Sequence, residues 1–131
     1  GTKRPRLIAV TVLTSADAPT LEETGVNAPS VEAQVARLAR LAAESGLDGV
    51  VASPHEISVV RRTVARADFL VVTPGVRPAS TAHDDQKRVM TPSAAVRAGA
   101  DFVVMGRAIL QAPDPARAAR EIIEEMEKAK E

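Results

Sequence analysis

The sequence predicts an α/β fold in which four parallel strands alternate with helices, on three observations. Apolar, largely β-branched runs recur at residues 7–13, 47–53, 68–73 and 101–106, and they are continuous instead of alternating. That is the pattern of strands buried on both faces, as in parallel sheets. Between them the apolar spacing switches to three and four residues, the signature of amphipathic helices. The helical stretches also open on a cap residue, usually followed by proline. Strand–helix units in series build either a doubly wound sheet or part of a (β/α) barrel. An eight-stranded barrel takes about 200 residues or more. A single domain of 131 residues with four strands therefore reaches half of one.

Each element has its own justification. "LIAVTVL" (residues 7–13) is strand-like by its β-branched content. "VEAQVARLARLAAES" (31–45) places Val31, Val35, Leu38, Ala39 and Ala42 on one helical face, with Ser30 as N-cap and Gly46 as the stop. "LDGVVAS" (47–53) is the second strand. The helix after it, 54–66, takes Ser53 as its cap and Pro54 as its first residue. "DFLVVT" (68–73) is the third strand and runs into Thr73-Pro74-Gly75, which ends it. Thr91-Pro92 opens the next helix, and "DFVVMG" (101–106) is the fourth strand. Asp114-Pro115 opens a last amphipathic helix, about 116–130, with Ala119, Ile122, Ile123 and Met126 at helical spacing. A weak repeat, "LDGVV", "ADFLVV" and "ADFVVM", sets an acid before three of the strands.

Composition excludes several functions. Seventeen basic residues balance seventeen acidic ones, so no global field favours nucleic acid or an anionic membrane. Phe69 and Phe102 are the only aromatic side chains apart from two histidines, too few for a base-stacking surface. The absence of cysteine removes disulfides, thiolate catalysis and cysteine-ligated metal. No apolar run reaches the length of a membrane span. The expectation is a soluble, cytoplasmic domain. His55 and His83 have no second histidine or carboxylate at ligand spacing, so no metal site is expected. No cofactor is expected either.

In parallel α/β folds ligands collect at the carboxyl ends of the strands. Read in order, those ends supply Thr14-Ser15, then Ser53-Pro54-His55, then Thr73 to Arg77, and finally Gly106-Arg107. Gly106 lets the backbone approach an anion closely. Arg77 and Arg107 offer planar, permanently charged forks suited to phosphate, and Gln86 can donate to the same oxygens. Taken singly, the glycine also suits a plain turn, and either arginine a solvated surface position. Asp84 and Asp85 read as loop or helix-cap carboxylates. Thr14-Ser15 reads equally as a turn. Together the third and fourth strand ends outline a phosphate site, with the substrate open.

The stretches "LIAVTVLTS", "SGLDGVVASPHE", "VTPGVRP", "DDQKRVMTP", "AGADFVVMGRAI" and "APDPARAA" resemble, in order and spacing, the bacterial orotidine 5'-phosphate decarboxylase family. The resemblance covers nearly the whole chain. It implies a (β/α)8 TIM barrel, of which this chain matches the fifth to eighth strand–helix units. It also implies residue roles. Pro74 and Arg77 match the loop that closes over the phosphate and ribose. Gln86 matches an amide that contacts phosphate, Gly106 and Arg107 the groups that grip it, and Thr14 a position lining the pyrimidine. Ala52 stands where the family usually has cysteine.

The larger departure is that no "DxKxxD" motif occurs, and with it the family's Lys-Asp-Lys-Asp array is missing from these residues. The resemblance thus implies a phosphate- or nucleotide-binding half, inactive in decarboxylation alone, with no catalytic residue of its own. An open four-stranded sheet would expose an apolar face and two edges. The expected partners are a second copy, as a homodimer, or the N-terminal half barrel. Expected ligands are phosphate, sulfate or a nucleoside monophosphate such as uridine monophosphate. A half barrel made as a model of fold assembly, with no ligand role, is the other reading.

Overall fold

The computed structural model describes residues 3–79 and 90–131. Strands β1 (Ile8–Val10), β2 (Gly49–Val51), β3 (Leu70–Pro74) and β4 (Phe102–Val104) form one parallel sheet in the order β1-β2-β3-β4. The helices are α1 (Ala18–Glu23), α2 (Val31–Glu44), α3 (Ile57–Thr63), α4 (Pro92–Ala98), α5 (Arg107–Leu110) and α6 (Pro115–Lys128), and a 3₁₀ turn at Pro54–Glu56 leads into α3. Strand order decides between the two architectures left open by the sequence. A doubly wound sheet reverses its order at a switch point. Here each strand pairs with its successor, as in a barrel wall.

Register assigns the two faces of the sheet. Ala9, Val50 and Val71 stand side by side, as do Thr73 and Val103, and this face lies under the helices. Val50, Val71 and Thr73 are fully buried there against Val35, Ala39 and Ala42 of α2 and Ile57 and Val60 of α3. Phe69, also fully buried, gives the core its one large ring; burying such a side chain contributes roughly 1.5–3 kcal/mol. The opposite face carries Ile8, Val10, Val51, Leu70, Val72, Phe102 and Val104. On the two edge strands this face is open: Ile8 is 40% exposed, Val10 57%, Phe102 56% and Val104 52%. The continuous apolar runs thus belong to strands with one face packed and the other uncovered in a single chain.

Gly49 is needed where β2 meets β3. A Cβ there would lie 2.6 Å from Leu70 Cβ and closer still to the Leu70 carbonyl oxygen.

The helix caps follow the sequence with one exception. Ser30, Thr91 and Asp114 accept from the backbone N–H groups of Ala33, Ala94 and Arg117. Gly46 adopts a φ of +79° after α2. There Gly46 N–H donates to Ala43 and Leu47 N–H to Ala42, closing the helix end. Ser53 makes no side-chain cap bond. The turn after it winds as a 3₁₀ helix, and the Glu56 N–H that a cap would receive donates to the Ser53 carbonyl at 3.0 Å. Helix α3 stops at Thr63 instead of 66, and α6 at Lys128 instead of 130. On α6, Ile122 is buried while Ile123 is 54% exposed. Glu125 of α6 accepts from Ser93 N–H in the first turn of α4, which favours a negative charge there.

Candidate functional site

Strands β3 and β4 deliver their carboxyl ends side by side. Pro74 is the register partner of Val104, so the chain leaves β3 at Gly75 and β4 through Gly106 on neighbouring strands, about 4.8 Å apart. Gly75 takes a φ of +75°, which a side chain would strain, and this turns the chain out of the strand. Val76 is buried and anchors the turn. Arg77 N–H then donates to the Met90 carbonyl at 3.1 Å, tying the start of this loop to the residue just before Thr91 and α4. The Arg77 side chain is half-buried.

Gly106 has a different character. Its φ is −118° and its ψ −87°, and nothing in the described chain lies within 4 Å of where a Cβ would stand. Crowding by the described chain therefore does not call for glycine at this position. Gly106 caps the short helix α5, and Arg107 is that helix's first residue and is exposed. Their backbone N–H groups belong to a first turn, where intrahelical partners are lacking.

The structure therefore brings together Pro74, Arg77, Gly106 and Arg107. Thr14 emerges at the other edge of the sheet, three strand spacings or roughly 14 Å away. It is exposed, in a turn closed by Ala16 N–H donating to the Leu13 carbonyl. Gln86 lies outside the described residues, as do His83, Asp84 and Asp85.

Two features of this end went unread in the sequence. Helix α1 is capped by Asp17, whose carboxylate accepts from Thr20 N–H at 2.9 Å and Thr20 Oγ1 at 2.7 Å. These bonds, led by the hydroxyl, hold the Asp17 carboxyl below its ordinary range. The signal was present: "DAPT" is the acid-and-proline start seen at Asp114-Pro115, with proline one place later. A groove of about 640 Å³ opens beside α1, bordered by Pro19, Glu22, Val26, Asn27 and Pro29, and none of the predicted site residues lines it. The second feature is Thr73, fully buried with its hydroxyl unpartnered among the described residues. It faces the helices, away from the open face, so its role belongs to the core. Among the described residues no group of three or more His, Asp or Glu could hold a metal ion, and no helix is long and apolar enough to cross a membrane.

A family model described as "Orotidine 5'-phosphate decarboxylase / HUMPS family" matches residues 1–122. The orotidine 5'-phosphate decarboxylase of Trichlorobacter lovleyi is 57% identical over 124 residues, which cover 95% of this chain and 51% of that protein. The one from Geobacter sulfurreducens is 56% identical over 126 residues, 96% of this chain and 52% of that protein. Among solved structures, orotidine 5'-phosphate decarboxylase from Lactobacillus acidophilus aligns with a TM-score of 0.80 at 37% identity, over 96% of this chain and 51% of that one. The enzyme from Pyrococcus horikoshii aligns at 0.69 and 26%, over 93% and 51%. The chain spans about half the length of the curated relatives it matches.

Proposed function

Because the chain belongs to the orotidine 5'-phosphate decarboxylase / HUMPS family, we propose that it is the nucleotide-gripping half of such a decarboxylase, with orotidine and uridine 5'-monophosphates as its ligands. The observation that carries this reading is the pairing of Pro74 with Val104. It puts the Gly75–Arg77 turn and the Gly106-Arg107 helix start on neighbouring strand ends. A phosphate there meets guanidinium forks and free backbone N–H groups at once, the combination that recognises a dianion. The open space at Gly106 suits a ligand oxygen approaching the backbone. By the family resemblance Gln86 is assigned to the same phosphate, and Thr14 borders the base side once the barrel wall curves round.

These residues bind and orient; none of them supplies the proton that replaces the lost carboxylate. The half grips substrate and works in decarboxylation only with its sheet completed by further strands. The test is calorimetry with uridine monophosphate on the chain and on Arg107→Ala and Gly106→Val. Binding should be measurable for the parent chain. Each substitution should weaken it by at least about tenfold, or 1.4 kcal/mol, with an unchanged circular dichroism spectrum. Decarboxylation by the chain alone should be nil. Equal affinity in all three proteins would refute the assignment of these residues.

A further inference from the structure

We propose that the open face of the sheet is the docking surface for a second copy of this chain, which closes it into a symmetric eight-stranded barrel. This rests on the half-barrel reading above and not on nucleotide binding. The four large apolar side chains most exposed on that face, Ile8, Val10, Phe102 and Val104, all lie on the two edge strands. Those are the positions the wall of a second unit would cover.

The edges point the same way. Thr11 N–H donates inward to the Val51 carbonyl, so by the two-residue period of a strand the N–H groups of Ile8 and Val10 point outward from β1. Asp101 N–H donates inward to the Val71 carbonyl, so those of Phe102 and Val104 point outward from β4. One edge of the sheet is β1 and the other is β4, and both need a strand running in the same direction.

A two-fold axis along the barrel axis meets every requirement with one operation. It lays β4 of each copy beside β1 of the other, parallel, twice over. The strand count becomes eight, the number at which side chains just fill the interior. Equal numbers of acidic and basic residues leave no net repulsion between copies. Both strand-end sites then face one end of the closed barrel.

Sedimentation equilibrium over a concentration series, with amide exchange read residue by residue, tests this. The expected mass is twice 13.8 kDa. As the dimer forms, the amides of Ile8, Val10, Phe102 and Val104 should slow by at least about tenfold. The variants Val10→Asp and Val104→Asp should sediment as single chains with unchanged circular dichroism, since both side chains are exposed in one copy. A single-chain mass at all concentrations would overturn the proposal. So would open-ended larger assemblies, or a dimer whose edge amides exchange freely, the signature of two sheets stacked face to face. A chain that stays single and pairs only with the remainder of a relative's sequence also overturns it. Should a variant fail to fold, the mass and exchange of the parent chain decide alone. A dimer that binds no uridine monophosphate leaves this inference standing and removes the nucleotide reading; a single chain that binds it does the reverse.

Discussion

Three acids precede strands in a similar sequence context, yet two of them do one job and the third another. Asp48 stands immediately before β2, opposite Leu7, and accepts Leu7 N–H at 2.7 Å along with a forked contact from Arg4 at 2.8 and 3.1 Å. Asp101 stands immediately before β4, opposite Val71, and accepts Val71 N–H at 2.8 Å. Arg61 bonds Asp101 too, and also the Phe69 and Gly99 carbonyls, so one side chain of α3 pins three segments. Asp68 stands two residues before β3, one place out of register, and pairs with Arg66 on the surface. The repeat was legible in the sequence; the one-residue offset was not, because the same "ADF" ends just before β3 but runs into β4 at Phe102. Only the ladder reveals that β3 begins one residue later in its copy.

This separates two carboxyls that are both held below their ordinary range. Asp48 is lowered first by Leu7 N–H and then by Arg4, Asp68 by its bond to Arg66. For both, the stabilisation is present above the ordinary value of 3.8 and is lost as pH falls through the lower folded value. Asp48 joins segments 41 residues apart, while Asp68 joins a neighbour two residues away, with both of those side chains well exposed. Exposed local pairs contribute little. Asp48→Ala should therefore lower the Tm at pH 7 clearly and Asp68→Ala hardly at all. The gap between Asp48→Ala and the parent should close as pH falls below about 4. Thermal melts across that range check it, and a gap that is constant with pH would contradict the assignment.

At the scale of elements, the sequence was most legible where caps and periodicity agreed. Helix α2 is the clear case: fourteen residues, a serine cap, an apolar stripe and a glycine stop all point to the same bounds. The short elements were not legible for physical reasons. Six residues of α1 and four of α5 are too few to show a helical period. The strands shrank to three to five residues because ladder pairing, not apolar content, sets their ends. Ser53 shows where local chemistry misleads, since a serine before proline marks a cap only if the following turn is α. Ser30→Ala should cost about 1 kcal/mol, the usual loss for a cap. Ser53→Ala should stay within about 0.5 kcal/mol. Urea unfolding of both variants with equal m-values is the measurement. Equal losses would mean that the Ser53 hydroxyl holds a partner that matters.

At the scale of the whole molecule, a four-stranded parallel α/β layout was legible from strand count and continuous apolar runs and its barrel form from the family resemblance, but the division of its faces was not. Val50 and Val10 look alike in sequence; register sends one to the core and the other to the open face. On the proposed pairing, that open face would be one surface for a second copy and a completing segment to compete for. A second copy and the segment of a relative outside the matched half would each cover Ile8, Val10, Phe102 and Val104. Decarboxylation should therefore appear when the chain is mixed with that segment of the Trichlorobacter lovleyi protein, and its onset should depend on the history of the chain. Stock held dilute, as single chains, should complement at once. Stock held concentrated should show a lag set by dissociation of the copies, because every closed pair must open before the new strands can dock. Progress curves from the two stocks, brought to the same final concentration, measure this directly. Identical curves would show that self-pairing does not occupy the surface that completes the barrel.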